Sequence, residues 1–299
     1  GMRRSSPGSV KNSVAGVSPD EVPTPGGEAG ILLWDKPAGI TSHDLVEEVR
    51  KQTGLKAGHA GTLDPFATGL MVILLGRATR LQQYLVGLPK RYRAVARLGW
   101  TSDTGDPDGN LEETGRIPAT LAIPTGSREQ MVPMTSAVRV EGERLYRKAR
   151  RGEVLDQRPT RMVTVQRAAL LETEMDSTGT PARASFDLGV SSGTYVRELI
   201  SGLGDAYCEE LRRTAIGELE LDRAGELIDL VEALSFMPRV DLDRAQAEAV
   251  GHGVVIAVGG SSVPEGEEVV LVEAGEVVSV GRETAGEIRP EIVIRPASG

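Results

Sequence analysis

The sequence predicts an α+β protein in two parts, a larger mixed domain over residues 30–238 and a small β-rich domain over 239–299. Three observations predict it. The chain has 299 residues, more than one compact core usually holds. Apolar runs of strand length alternate with capped amphipathic segments through the first two thirds, as expected where strands and helices share a core. After residue 240 the pattern changes to short Val/Ile-rich runs, at 253–257, 268–272, 276–280 and 291–294, split by Gly and Pro.

Residues 1–29 are rich in Gly, Pro and Ser with few large apolar side chains, and read as a disordered leader. Residues 31–34 are a short buried strand, and 35–39 turn the chain. Thr41 or Ser42 then caps a helix, with Leu45, Val46 and Val49 on one face, Asp44 and Glu47 in the first turn, and Gly54 at its end. The unbroken apolar run 70–75 suits a central strand. A short helix is expected over 78–86, a partly alternating strand over 90–99, and an Asp/Gly/Pro turn cluster over 103–110. Residues 111–130 carry little pattern. Further strands are expected at 138–140, 162–171 and 182–190, a basic helix at 142–149, a turn at 191–194 and a helix at 195–203. Leu211, Arg212, Arg213 and Thr214 lead into another strand, and a short helix at 227–234 followed by Pro238 closes the larger domain. The smaller one opens on a helix near 243–250.

Composition narrows the function classes. Aromatics are only 3% of the chain, so the core must be built from Val, Leu, Ile and Ala. Cys208 is the single cysteine, which excludes an internal disulfide and a thiolate zinc site, and fits a reducing compartment. No apolar run reaches about 18 residues, so no membrane span is expected. Arg3 and Arg4 have no apolar stretch behind them, so no signal peptide is read there and a cytoplasmic protein is expected. The net charge of −9 by itself argues against a nucleic-acid partner. Its distribution argues the other way. Residues 77–97 hold six basic residues and no acid, and 139–167 hold nine basic residues against four acids, whereas 218–299 hold six against 17. Phosphates would bind the basic stretches.

One stretch stands apart: Gly58-His59-Ala60-Gly61-Thr62-Leu63-Asp64-Pro65-Phe66-Ala67-Thr68-Gly69. Its glycines and proline rule out continuous regular structure although it lies between apolar segments. Pro65 biases its only carboxylate, Asp64, toward an extended backbone, and the glycines admit a close-approaching chain or ligand. A lone Asp in such a loop suits a nucleophile or base; from the residues alone, an Asx-type turn is the alternative.

That stretch has company. The segment 30–44 (Gly-Ile-Leu-Leu-Trp-Asp-Lys-Pro-Ala-Gly-Ile-Thr-Ser-His-Asp), the Gly58–Pro65 motif, Lys90-Arg91-Tyr92-Arg93, Ser191-Ser192-Gly193-Thr194-Tyr195-Val196-Arg197 and Leu211-Arg212-Arg213 follow in an order and spacing that closely resemble the bacterial tRNA pseudouridine synthase B family. The likeness runs from about Gly30 to Gly217, and residues 240–299 are more weakly similar to the RNA-binding PUA-type module of that family. The resemblance implies a pseudouridine synthase fold, a central mixed and mostly antiparallel sheet flanked by helices, with a small β-rich PUA-like C-terminal domain. It implies isomerisation of the T-loop uridine at position 55 of tRNA, with no cofactor and no metal. The T-arm of tRNA is then the partner, no membrane is involved, and a monomer is expected.

Roles follow residue by residue from the same resemblance. Asp64 matches the essential aspartate, as nucleophile at the sugar C1′ or base at C2′. Arg197 matches the arginine paired with it. Tyr92 matches the tyrosine that stacks on the flipped base, and His59 the histidine that fills the vacated space. Leu211 matches an apolar wall of the uracil pocket, with ordinary core as the alternative, Tyr195 supports the pocket or simply packs, and Lys36 is a candidate phosphate or loop contact. Arg144, Lys148, Arg150 and Arg151, on the expected basic helix, would track the T-stem backbone. The chain departs from the family pattern between Gly204 and Leu211, where only six residues stand in place of a longer Gly-containing loop. A weakened pocket wall there motivates the alternative of a tRNA-binding or folding protein without useful turnover.

Overall fold

The computed structural model describes residues 22–25, 29–134, 136, 138–140, 142–145, 151, 158–257 and 263–295. In the larger part the strands are β1 (Ala29–Lys36), β2 (Ala57–His59), β3 (Thr68–Gly76), β4 (Lys90–Leu98), β5 (Trp100–Ser102), β6 (Leu111–Glu113), β7 (Gly126–Met131), β8 (Arg139–Val140), β9 (Glu143–Arg144), β10 (Thr160–Met175), β11 (Pro181–Val190), β12 (Ala206–Ile216), β13 (Leu219–Glu220) and β14 (Leu227–Ile228). Its helices are α1 (Ser42–Thr53), α2 (Gln82–Val86), α3 (Val196–Ser201) and α4 (Leu230–Ala233). Ten of the strands make one sheet in the order β14-β1-β3-β12-β4-β11-β10-β7, with β13 beside β12 and β2 beside β3. Every pairing in it is antiparallel except β3 with β12, which is parallel. The fold class is therefore the mixed α+β sheet that the sequence predicts.

The apolar runs are explained by burial on both faces of this sheet. Leu32 and Trp34 of β1 and Met71, Ile73 and Leu75 of β3 enter one core with α1 and α3, while Ile31, Leu33, Leu70, Val72 and Leu74 enter another on the opposite face. A two-sided strand cannot alternate apolar with polar, so it reads as a continuous run even in an antiparallel sheet. Helix α1 starts on a Thr41 capping box with Asp44 and stops at Gly54 in the left-handed conformation.

A second, five-stranded sheet holds β15 (Arg239–Asp241), β16 (Ile256–Ala257), β17 (Glu268–Glu273), β18 (Glu276–Thr284) and β19 (Glu287–Val293), in the order β15-β17-β18-β19-β16, with helix α5 (Arg244–Gly251) against it. Alternate side chains of its strands face two ways: Val269, Leu271 and Val278 into a core of its own, Val270, Val272 and Val280 onto the larger sheet's second face. The Arg77 guanidinium donates to the Ile294 carbonyl across this junction, and Arg80 donates to that of Val293.

Four expectations change. The start of the expected basic helix is a strand, since Glu143 and Arg144 form a two-stranded ladder with Arg139 and Val140; Lys148 and Arg150 lie outside the described residues. Residues 227–228 pair with β1 before a single helical turn begins at Leu230, capped by Asp229. Strand β12 begins at Ala206, so the residues before Leu211 are ladder and not loop. In the smaller sheet only Ile256 and Ala257 of 253–257 are strand. Of the expected leader, residues 1–21 and 26–28 are outside the described residues, whereas Val22 packs against the first core.

Gly69 makes the parallel pairing possible. It lies opposite Arg213 at φ +104°, and a Cβ there would stand 2.2 Å from the Arg213 carbonyl oxygen. Gly39 also has positive φ (+86°), but a Cβ there meets nothing within 4 Å. Gly39→Ala is therefore expected to lose only the left-handed backbone preference, about 1–2 kcal/mol, and Gly69→Ala at least ~3 kcal/mol, because backbone must move as well. Chemical denaturation of both variants measures the difference.

Candidate active site

The segment from Ala60 to Ala67 carries Asp64 between β2 and β3, and residues just after β1 hold it from behind. The Ser42 hydroxyl accepts from the Leu63 N–H (2.9 Å) and donates to the Leu63 carbonyl (3.0 Å). The Pro65 carbonyl accepts from the Gly39 N–H (2.8 Å) and from the Lys36 ammonium (3.2 Å). Lys36 has no exposed surface and also donates to the Pro37 and Ile40 carbonyls, at 2.8 and 2.9 Å. It fastens two turns together; of the expected phosphate or loop contact, its burial favours the loop contact. That burial pulls its pKa down to about 8, with the Asp64 charge opposing and the Arg213 charge adding.

Arg197 comes from the first turn of α3. Its Nε lies 2.8 Å from Asp64 Oδ2, and its Nη2 lies 3.5 Å from Oδ1. Its Nη1 donates to Asp106 Oδ2 and to the Thr104 carbonyl, both at 2.8 Å. One guanidinium thus joins two carboxylates, as its planar fork of donors permits. The side chains of Arg197 and Asp106 are 2% and 7% exposed, and that of Asp64 is 31% exposed. The triad is closed behind and open only at Asp64. Burial pushes the Asp64 carboxyl above its usual range; Arg197 pulls against that, Asp106 adds to it, and Lys36 opposes it.

Asp106 was not legible as a site residue. Its other oxygen, Oδ1, accepts from the Thr104 hydroxyl (2.6 Å) and the Asp108 N–H (3.1 Å), the local bonding of a turn aspartate. Composition at 103–110 therefore signals a turn and says nothing of a partner 91 residues away.

The remaining predicted residues converge in part. Leu63 and Val196, which precede Asp64 and Arg197, share one core cluster with Tyr92 and Leu211. Tyr92 is buried on β4 and Leu211 on β12, adjacent strands in which Leu211 lies opposite Ala94 and Tyr92 opposite Arg213. Tyr195 is held at its backbone by Gln130, whose side-chain amide accepts from the Tyr195 N–H (2.8 Å) and donates to its carbonyl (2.9 Å). The Arg161 guanidinium lies 5.4 Å from the Tyr195 ring centroid, a cation–π contact. Neither Gln130 nor Arg161 is marked by a local pattern. His59 ends β2, half-buried, with its pKa lowered by burial first and then by the charges of Arg213 and His43. Arg151 pairs with Glu143 at 2.6 Å, away from the triad. Among the described residues no three His, Cys, Asp or Glu side chains gather as a metal-binding group, and no helix is long and apolar enough to cross a membrane.

Residues 48–196 match the model of the TruB family pseudouridylate synthase N-terminal domain. The chain is 34% identical over 300 residues to tRNA pseudouridine synthase B of Arthrobacter sp. (strain FB24), covering 90% of this chain and 98% of that protein. The chain belongs to the tRNA pseudouridine synthase B family. The same-named protein of Thermobifida fusca (strain YX) is 36% identical, with 88% and 98% covered, and that of Pseudomonas putida (strain F1) is 40% identical, with 72% and 73% covered. Among solved structures, a chain of a Cbf5-Nop10-Gar1 complex superposes with a TM-score of 0.67 at 26% identity, covering 90% of this chain and 86% of that one. As a member of this family the protein is an isomerase that forms pseudouridine in RNA.

The geometry predicts a pH profile. Because the Asp64 pKa is raised, its ionised form is lost, as pH falls, at a higher pH than for an ordinary carboxylate near 3.8. The acid limb of the single-turnover rate is expected above that value. In Asp106→Asn one contributor to the upward shift is gone, so the limb should move to lower pH while the plateau rate falls, because Arg197 is less firmly aimed. A pH–rate series on the two proteins measures both effects.

Proposed function

We propose that this protein converts the uridine at position 55 in the T-loop of tRNA to pseudouridine, acting as a monomer in the cytoplasm. The observation that carries the reading is the Asp64–Arg197–Asp106 triad, open on the Asp64 side alone. Pseudouridine formation breaks the bond from uracil N1 to C1′, turns the base and joins C5 to C1′. The proton leaves C5 and N1 ends protonated, so atoms balance with no redox step. Asp64 starts the sequence either by adding to C1′ or by taking the C2′ proton, and both routes need an ionised carboxylate fixed in direction. Arg197 supplies that direction through its fork.

The target base lies inside a folded loop and must leave its stack to reach the carboxylate. Tyr92 and Leu211 offer the apolar walls for the flipped uracil, and stacking on an aromatic offsets roughly 1–3 kcal/mol of the unstacking cost. His59, kept neutral by its surroundings, suits the vacated position in the RNA. Arg91, Arg93 and Arg97 of the 77–97 stretch and Arg161 would meet phosphates, whereas Arg77 and Arg80 bond the smaller sheet and Lys90 is buried; the five-stranded C-terminal sheet would serve as a PUA-like RNA contact. Arg144, Lys148, Arg150 and Arg151 remain proposed backbone contacts.

The test uses an unmodified tRNA transcript tritiated at C5 of the T-loop uridine. Release of tritium by the wild type, and its loss by at least a thousandfold in Asp64→Asn with tRNA still bound, is the expected result. Binding without release by the wild type would favour a tRNA-folding protein instead, and wild-type release by Asp64→Asn would remove the catalytic assignment. Affinity for the same tRNA should also fall steeply with salt, as phosphate contacts require; a filter-binding series that stays flat would move the RNA face elsewhere.

A further inference from the structure

Arg213 is 1% exposed, lies outside the triad, and has no carboxylate paired with it among the described residues. It extends from β12 into the gap between β3 and the Asp64 loop. Its Nε donates to the Leu70 carbonyl (2.7 Å), Nη2 to the Gly61 carbonyl (3.0 Å) and Nη1 to the Thr62 carbonyl (3.4 Å), with Nη2 also 3.1 Å from Met71 Sδ. These acceptors straddle Asp64. Gly61 and Thr62 are on the way into the loop, and Leu70 is on the strand that leaves it.

We propose that Arg213 is a positioning residue for the isomerisation, closing the base of the Asp64 loop by tying its entry to its exit so that the carboxylate meets the sugar in one fixed direction. The inference rests on the assignment of Asp64 as the reacting carboxylate. Three features of the structure support it. The loop has almost no regular backbone pairing, so its carbonyls need other donors, and they find them. The His59 carbonyl takes Gln82, Gly61 and Thr62 take Arg213, Leu63 takes Ser42, Asp64 takes the Ala67 N–H, and Pro65 takes Lys36 and Gly39. Arg213 alone among these donors reaches both limbs of the loop. Second, only a guanidinium fits the place. It is a rigid fork able to serve three carbonyls, it stays charged when buried, and it is weakly hydrated. Third, the sheet is built to deliver it. Gly69 gives up its side chain to let the Arg213 backbone come alongside β3, which sets where the guanidinium lands.

The charge has a second effect on the same site. Arg213 stands near His59 and, with His43, favours the neutral imidazole. Lys90, buried nearby and bonded to the Val86 and Leu88 carbonyls, is held to about 8 by burial and then by the same Arg213 charge. Among the described residues no carboxylate pairs with Arg213 or Lys90, and at His59 the Arg213 charge adds to the larger effect of burial.

The experiment compares Arg213→Lys, which keeps the charge and loses the fork, with Arg213→Met, which keeps the bulk and loses both. Single-turnover rate, tRNA Kd and the His59 titration by NMR are measured on each. A buried residue does not touch RNA, so Kd should stay within about twofold of wild type. A small error in aim at the reacting carbon costs on the order of 100-fold, so Arg213→Lys should lose about that factor in rate. His59 should titrate as in wild type in Arg213→Lys and at higher pH in Arg213→Met. A general loss of structure would move Kd and melting temperature together and leave the two histidine titrations alike. A folded Arg213→Lys with a rate within threefold of wild type overturns the inference, as does a Kd that rises in proportion as the rate falls. If neither variant folds, Arg213 belongs to the fold and the inference also fails. Asp64→Asn, run alongside, separates the two levels: wild-type activity there removes the Asp64 assignment itself, whereas an inactive Asp64→Asn beside an active Arg213→Lys removes only the role of Arg213.

Discussion

The site depends on one buried cation shared by two carboxylates. Arg197 is almost wholly inside the protein, and an unpaired charge there would be strongly destabilising. Asp106 and the Thr104 carbonyl take one end of its guanidinium, and Asp64 takes the other. The turn at 103–110 must therefore lie flat against α3, and Gly105 permits it: a Cβ there would sit 3.1 Å from the Ser201 hydroxyl and 3.5 Å from the Arg197 Cβ. From the other side the Cys208 N–H on β12 holds the Gly105 carbonyl at 3.0 Å. The Asp64 carboxylate is thus aimed by a chain of contacts that runs from the sheet through a turn to a helix and only then to Asp64.

The loop bearing Asp64 shows that irregular backbone need not be loose backbone. Most of its carbonyls are taken by buried side chains from elements distant in sequence, among them Ser42, Lys36 and Arg213. Two of those donors are cations without a carboxylate at bonding distance, which is an uncommon arrangement in a protein interior. Carbonyl dipoles stabilise them in place of counter-ions. The carboxylate of Asp64 stands at the open end of this cationic surround.

Much of this was legible in the sequence, for physical reasons that differ from place to place. The strands at 31–34 and 70–75 announce themselves because both faces of the sheet are covered, and α1 does so because its ends carry capping residues. The pairing of Asp64 with Arg197 follows from motif order. Asp106 was hidden, because an aspartate that ends a turn and one that neutralises a buried arginine look alike until the chain is folded. Arg213, Gln130 and Arg161 were hidden because a strand residue's reach depends on which strands become neighbours. Lys36 left two readings open, phosphate or loop, because a lysine beside a turn is ordinarily exposed and only its burial in the fold separates them. The strand at Ala206 was missed because Tyr207, Cys208 and Glu209 alternate too briefly to stand out from the helix before them.

The parallel pairing of β3 with β12 also governs when the site comes into being. Arg213 bonds a carbonyl 143 residues earlier in the chain, and Arg197 reaches Asp64 across 133. On a ribosome adding about 5–20 residues per second, the Asp64 loop emerges roughly 7–30 s before the residues that will hold it. Through that interval the loop has its first-half donors, Lys36 and Ser42, but no guanidinium from either side. The nascent chain therefore exposes a carboxylate that is neither aimed nor flanked by strand β12, and the Asp64–Arg197 pair forms only once most of its length has been made.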